Sequence, residues 1–307
     1  MEQSQAMDYR SQVRKLSFWR LIKAAFWTIL CLTLFVQLAA PSRLAAARAA
    51  IIDRMQDQRH SRVIAMIHRQ DTISLFGVPV RSSIGIDDSE AVLRAIRLTP
   101  PEQPIDLILH TPGGLLLAAE QIAKALAEHK GKVTVFVPHY AMSGGTLLAL
   151  AADTIVMDPN AVLGPVDPQI GDMPAASILK MVDIKRPRNV SDEMLVLADI
   201  ANKARLQTVT FVAEVLLKHL PKEKARQVAM ILTDGRFTHD FPIMAGPASA
   251  LGLPISTRMP AEIYELMDLY PQDGAGRPSV LYIPLKRGPQ AKENPAGLPA
   301  ESGPAQN

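Results

Sequence analysis

Between residues 60 and 160 the chain alternates short, mostly apolar runs with stretches whose apolar residues recur every three or four positions. Arg62–His68 (RVIAMIH), Ile105–Leu109 (IDLIL), Lys132–Val137 (KVTVFV) and Thr154–Met157 (TIVM) are the runs. Each is too short for a helix of ordinary length, so the pattern predicts buried strands. Asp87–Ile96 (DDSEAVLRAI) opens on acidic capping residues and continues at helical spacing. Leu115–His129 places Leu116, Ala119, Ile122, Ala123 and Leu126 on one side of a helix. Gly144–Ala152 predicts a helix of small residues, and Asp192–Leu220 a long helix or a helix pair. Strands alternating with helices imply right-handed crossovers and a largely parallel sheet, hence an α/β domain.

The N-terminal pattern is of another kind. Ala24–Ala40 (AAFWTILCLTLFVQLAA) carries no charge and approaches the length of about 17–25 residues that spans a bilayer. Leu21 and Ile22 extend it if Lys23 snorkels, and Trp19 and Trp27 suit the interfaces. A cleaved signal peptide is the competing reading. The long basic segment before the run, and Leu38 and Pro41 around Ala39-Ala40, argue against cleavage. Arg10, Arg14, Lys15, Arg20 and Lys23 precede the run, while Arg43, Arg48, Arg54 and Arg59 follow it. That asymmetry narrowly favours a single-pass protein with its bulk outside the cytoplasm. The expected organisation is a basic segment 1–20, a transmembrane anchor 21–42, a stalk helix 43–60, one α/β domain 61–287 and a Pro/Gly/Ala-rich disordered tail 288–307.

Composition narrows the function classes. The chain has 307 residues, 48% hydrophobic and 21% charged, so a core is easily built. A net charge of +3 is too balanced to argue for nucleic acid. Cys31 is the single cysteine, which excludes an intrachain disulfide and four-cysteine zinc sites. His110 and His239 lack a third ligand at helical or tight-turn spacing, so no metal is expected. No G-x-G-x-x-G opens a helix, so no dinucleotide is expected either, and no cofactor is assigned.

Two strand-to-helix junctions carry chemistry. In His110-Thr-Pro-Gly-Gly114, Pro112 ends a strand and the glycines allow unusual dihedrals just before a helix N-terminus, where exposed N–H groups favour a negative oxygen. Taken alone it reads as a glycine-requiring turn. In Tyr140-Ala-Met-Ser-Gly-Gly-Thr146, Ser143 sits on a sharp turn before a small-residue helix. Taken alone, Ser143 reads as a helix N-cap. Together the junctions fall at the carboxyl ends of neighbouring strands, where open parallel sheets place their sites. One offers an oxyanion hole at Gly113 and Gly114, the other a nucleophile.

The stretches DLILHTPGGLLLAAEQIAKAL and VTVFVPHYAMSGGTLLALAADTIVMDPNAVLGPVDPQ, with the later Gly235-Arg-Phe-Thr-His-Asp240 and Ala250-Leu-Gly-Leu253, resemble the Clp/crotonase-fold serine peptidases. Within them the chain most resembles the serine dehydrogenase proteinase family, relatives of signal peptide peptidase A, from about Ser61 to Pro284. The resemblance implies a fold of repeated ββα units, polypeptide substrates and a homo-oligomer. It also frames the search for a base. A Clp-type histidine would follow the serine by some tens of residues, yet none lies between Ser143 and His219. The signal peptide peptidase A branch uses a lysine near the start of a long helix, which points to Lys185 first, Lys203 second and Lys180 behind them. His139, Gly144, His239 and Asp240 are expected as substrate or structural contacts, with a triad role for His239 and Asp240 still open. Asp167 is expected to fix a turn or a subunit contact. The leading expectation is a membrane-anchored serine endopeptidase with a Ser-Lys dyad. Its rivals are an inactive membrane scaffold on the same fold and a crotonase-type enzyme acting on acyl-CoA, which would leave the Ser-Gly-Gly turn unexplained.

Overall fold

The computed structural model describes residues 43–68, 73–75, 78–80 and 83–270, together with residues 23, 25–30 and 33. Most of the expected anchor 21–42, the last part of the expected domain and the whole tail 288–307 lie outside the described residues. Among the described residues no helix is long and apolar enough to cross a membrane.

A five-stranded parallel sheet forms the centre. Its order is β1 (Arg62–Ile67), β4 (Ile105–His110), β5 (Val133–Val137), β7 (Thr154–Met157) and β12 (Ile255–Ser256), with β2 (Ile73–Leu75) and β3 (Val78–Val80) pairing as a separate antiparallel ribbon. The strands read as continuous apolar runs because both faces of the sheet are covered. Ile64, Leu107, Leu109, Val133, Val135 and Ile155 face one core, under α3 (Leu116–Glu128), α4 (Gly144–Leu150), α6 (Asp192–Leu216) and α7 (Lys222–Thr233). The alternate positions Val63, Ile108, Phe136 and Val156 face a second, smaller core.

That second core is closed by α1, residues 43–59, and α9 (Ala261–Asp268). Met55 of α1 and Ile263 and Leu266 of α9 are buried against Phe136 and Ile108. Arg48 donates to the Leu269 carbonyl at 2.6 Å and lies 3.8 Å above the Tyr270 ring. Arg54 pairs with Glu265. Asp106, buried in mid-strand, accepts from Arg59 and, at 2.6 Å, from the Ser61 hydroxyl. A buried carboxylate needs such partners, and removing one leaves an uncompensated charge at a cost of about 3–5 kcal/mol. The segment read as a stalk is therefore a wall of the domain.

The remaining elements frame the site. α2 (Ile86–Arg97) precedes β4, and α5 (Ala175–Lys185) packs on α6. Short strands β6 (Tyr140–Ala141), β8 (Val162–Leu163) and β11 (Ile243–Met244) form a small sheet, β9 (Gln169–Ile170) and β10 (Met173–Pro174) a hairpin, and α8 (Ala245–Ala250) leads to β12. None of these two-residue strands is long enough to give a periodic signal. β4 runs one residue further than expected because His110 pairs with Ile67. The expected Asp192–Leu220 helix ends at Leu216, and α7 follows after Pro221.

Candidate active site

The two glycine junctions lie side by side because β4 and β5 are neighbours. A parallel bridge between Thr111 and Ala141 laces them together: Thr111 N–H donates to the Tyr140 carbonyl at 3.2 Å, and Met142 N–H to the Thr111 carbonyl at 3.0 Å. Thr146 locks the turn from beneath, its hydroxyl donating to the Ala141 carbonyl at 2.8 Å and accepting from Gly164 N–H at 2.9 Å. Gly145 is needed here, since a Cβ would lie 2.5 Å from Thr111 Cγ2.

Ser143 sits at φ 51°, ψ −118°, outside the regions that side-chain-bearing residues favour. It occupies the N-cap position of α4, yet its hydroxyl caps no helix amide. The serine is thus held on a strained elbow, and among the described residues its hydroxyl has no hydrogen-bond partner, as a nucleophile requires.

Gly113 at φ 103° and Gly114 at φ 155° both occupy conformations that favour glycine. A Cβ on Gly113 would stand 2.8 Å from Ser143 Cβ, and one on Gly114 would stand 2.3 Å from the Ile84 carbonyl oxygen. Their amides differ in use. Gly113 N–H donates to Thr111 Oγ1 at 3.2 Å, so it is already occupied. The Gly113 carbonyl accepts from Ile84 N–H at 2.7 Å. A trans peptide points its C=O and the following N–H in opposite directions, so the Gly114 amide faces away from Ile84. A Cβ on Gly144 would lie 3.7 Å from that Gly114 nitrogen. Among the described residues neither the Gly114 nor the Gly144 amide has a hydrogen-bond acceptor. Of the two amides expected to meet an oxyanion, that of Gly113 is therefore taken by Thr111, while that of Gly114 is unclaimed among the described residues, as is that of Gly144.

A cavity of about 370 Å³ opens over Ser143. Leu116, Val166, Pro168, Ile170 and Ala204 give it apolar walls, and Asp167 and His239 are its ionisable lining residues. Asp167 is 4% exposed. Its Oδ1 lies 2.7 Å from His239 Nδ1, and its Oδ2 accepts from Gln169 Nε2 at 2.6 Å. The bond to Asp167 raises the His239 pKa above the ordinary 6.5, against burial, with Asp167 and Asp240 charges adding to the rise.

The residues expected as bases lie elsewhere. Lys185 is exposed at the last position of α5. Lys203 precedes the cavity-lining Ala204, which turns its side chain to solvent, where it pairs with Asp199 one turn earlier. Lys180 faces a separate open cavity with Asp183, Arg205 and Arg236. None of the three lines the cavity over Ser143. His139 is exposed, its ring stacked 5.8 Å from that of buried His110, and it does not line the cavity either. Asp240 is exposed and acts on His239 through its charge alone. His239, whose triad role the sequence leaves open, is brought to the cavity over Ser143 by the turn between α7 and β11. Asp167 was missed as a histidine partner. Its one signal is the rigid Gly-Pro-Val-Asp-Pro setting.

Residues 13–297 match the family described as ClpP-like SDH-type serine proteinase. Two uncharacterised proteins of Methanocaldococcus jannaschii are similar, one 55% identical over 78% of this chain and 81% of its own, the other 50% identical over 90% and 96%. Among solved structures, ClpP1 from Listeria monocytogenes aligns over 67% of this chain and 96% of its own at 17% identity and TM-score 0.42. A 1510-N membrane-bound stomatin-specific protease aligns over 60% and 79% at 18% identity and TM-score 0.41. With a match that spans nearly the whole sequence, this chain belongs to the ClpP-like SDH-type serine proteinase family.

Proposed function

We propose that the chain is a membrane-anchored serine endopeptidase in which Ser143 is the nucleophile, His239 the general base, Asp167 its orienting carboxylate, and the Gly114 and Gly144 amides the oxyanion hole. The single observation that carries this reading is the shared cavity: Ser143, His239 and Asp167 line it together, and neither Lys185 nor Lys203 does. The histidine and carboxylate therefore replace the lysine dyad that the sequence alone favoured.

The chemistry follows from the geometry. Ser143 Oγ attacks the peptide carbonyl carbon while His239 Nε2 takes the hydroxyl proton. Asp167, bonded to Nδ1, holds the ring and balances the imidazolium. The negative oxygen that forms is held by the Gly114 and Gly144 amides, which line the same cavity as Ser143 and carry no acceptor among the described residues. His239 then returns the proton to the leaving amine, and water repeats the sequence on the acyl-enzyme. No bond joins Ser143 to His239 in the free protein among the described residues; such bonds tighten when substrate fills the site.

The apolar walls suit an extended polypeptide with an apolar side chain beside the scissile bond. The charge-free run Ala24–Ala40 supports the anchor, and the flanking basic residues support a bulk outside the cytoplasm. A homo-oligomer and a catalytic domain that begins with α1 at residue 43 and runs to about residue 287 complete the proposal. A fluorophosphonate probe tests it. It should label the parent protein at Ser143 and leave His239→Ala unlabelled, while Lys185→Ala and Lys203→Ala label at the parent rate. Labelling of His239→Ala alongside a dead lysine variant would restore the dyad.

A further inference from the structure

Asp167 has two oxygens, and only one of them meets the histidine. Oδ1 lies against His239 Nδ1, while Oδ2 lies 2.6 Å from Gln169 Nε2. A carboxylate only accepts, so the amide nitrogen is the end of Gln169 that faces it, and its N–H donates. The same nitrogen lies 3.4 Å from the Asp167 carbonyl and 3.2 Å from His239 Nδ1. Gln169 thus touches both members of the pair and lines the cavity over Ser143, yet the reaction proposed above gives it no task.

The backbone holds this side chain in place from both sides. Gln169 opens β9 and pairs with Pro174 of β10. Just before it, the Pro168 carbonyl accepts from Ala175 N–H at 3.0 Å, and Val166 N–H donates to the Leu232 carbonyl at 2.8 Å. Ala175, the first residue of α5, is buried in one cluster with Ala198 and Ala201 of α6. Asp167 and Gln169 therefore share a short segment clamped to α5 and α7, with Pro168 between them. The electrostatic consequence has one sign. A hydrogen bond donated to a carboxylate stabilises its negative charge and weakens its hold on a neighbouring proton. The positive end of the amide also stands beside the ring. Both ring nitrogens carry protons in the imidazolium, whichever one carries it in the neutral form, so the amide opposes the charged ring in either tautomer. Both effects temper the rise that Asp167 imposes on the His239 pKa. The other charge acting on the ring is Asp240 of its own turn, and α3, α4 and α6 bring no ionisable residue to the cavity lining.

We infer that Gln169 is a positioning residue of the reaction: it holds the Asp167 carboxylate toward His239 and keeps the ring neutral at the pH where it takes the Ser143 proton. The inference rests on the serine peptidase reading with His239 as base. Gln169 itself takes no proton and acts through Asp167 and His239. Without its N–H, Asp167 is free to turn Oδ1 from the ring, and the base stays protonated to higher pH.

The test compares the parent with Gln169→Met, which keeps the side-chain length and loses the donor, with Asp167→Asn, and with the double variant. Two quantities are followed against pH: kcat and KM for a fluorogenic peptide, and the imidazole NMR signals of His239. In Gln169→Met the acidic limb of kcat and the His239 titration should both move up by about half to one pH unit. The plateau kcat should fall by about tenfold, the value of one hydrogen bond to the orienting group, with KM within roughly threefold of the parent. In the Asp167→Asn background the same change should move the His239 titration by well under half as far, because the carboxylate through which Gln169 mainly acts is gone. A limb that stays in place or moves down in Gln169→Met overturns the inference. So does a rise in KM with the limb unmoved, which would make Gln169 a substrate contact, and so does an equal shift in both backgrounds. If His239→Ala or Asp167→Asn keeps the parent kcat, the proposed base falls and takes this inference with it.

Discussion

Ser143 holds φ 51°, ψ −118°, a conformation that costs a non-glycine residue about 1–3 kcal/mol. The hydroxyl contributes nothing to capping, so Ser143→Ala should remove peptidase activity to background and leave the melting temperature within the range of a neutral substitution, about 0.5 kcal/mol. Ser143→Gly should be equally inactive but more stable than Ser143→Ala by about 1 kcal/mol, because glycine accepts the positive φ. Chemical denaturation of the two variants checks this, and equal stability would show that the elbow is unstrained. His239 makes the second prediction. A base must be neutral to accept a proton, and the Asp167 bond raises its pKa above 6.5. Activity should therefore rise with pH along a limb centred above that value. Asp167→Asn should move the limb down and lower kcat by roughly 10²–10⁴-fold, since the ring loses the charged partner that fixes its tautomer and balances the imidazolium. The linkage to stability has the opposite direction: the pair's contribution is full below the unfolded value near 6.5 and is lost as pH rises through the raised folded value. A pH–rate profile of the two proteins, with denaturation at matched pH, checks both signs.

Helix α1 changes the meaning of a truncation. It supplies Met55 to the smaller core and binds α9 through Arg48 and Arg54. It also feeds into Arg59, which neutralises buried Asp106. Deleting residues 1–42 should leave a folded protein of parent stability. Deleting residues 1–60 should expose Phe136 and Ile108 and strip Asp106 of its cation, giving an aggregating product. The combined cost is at least the 3–5 kcal/mol or so of an orphaned buried charge, a large part of an ordinary folding free energy. Size exclusion and circular dichroism of both truncations decide the matter, and a well-folded 61–307 fragment would return α1 to the role of stalk. Periodicity found α2, α3 and α6 within a few residues, because each buries an apolar face large enough to leave a pattern. It could not say that the 43–59 helix packs on the domain, because a stripe of apolar residues looks alike whichever surface covers it.

For the whole molecule, the proposed anchor is what would separate this chain from a free peptidase. The run Ala24–Ala40 should hold the full chain in the membrane fraction through a high-salt wash, and removal of residues 1–42 should release activity to the supernatant. Pelleting of the truncated protein would reveal a second membrane-binding surface on the domain. The same truncation leaves Ser143, Asp167 and His239 untouched, so its activity on a soluble peptide should equal that of the detergent-solubilised parent.

Sequence alone determined the parallel α/β architecture, the elbow serine and the glycine turn beside it. Each depends on residues within a few positions of one another: an apolar run makes a buried strand, and Pro112, Gly113 and Gly114 make a turn that few other residues permit. Family membership was readable for the same reason, from contiguous motifs. The pairing on which the proposed general base rests was not. His239 meets Asp167 only because the turn after α7 folds back over the loop after β8, and no local rule relates positions so far apart in the chain. Which glycine amides stay free was likewise decided in space, by Thr111 and Ile84 taking the polar groups of Gly113 and leaving the next N–H unclaimed. Local sequence specifies conformation, whereas hydrogen-bond partnership across elements exists only once the sheet has brought them together.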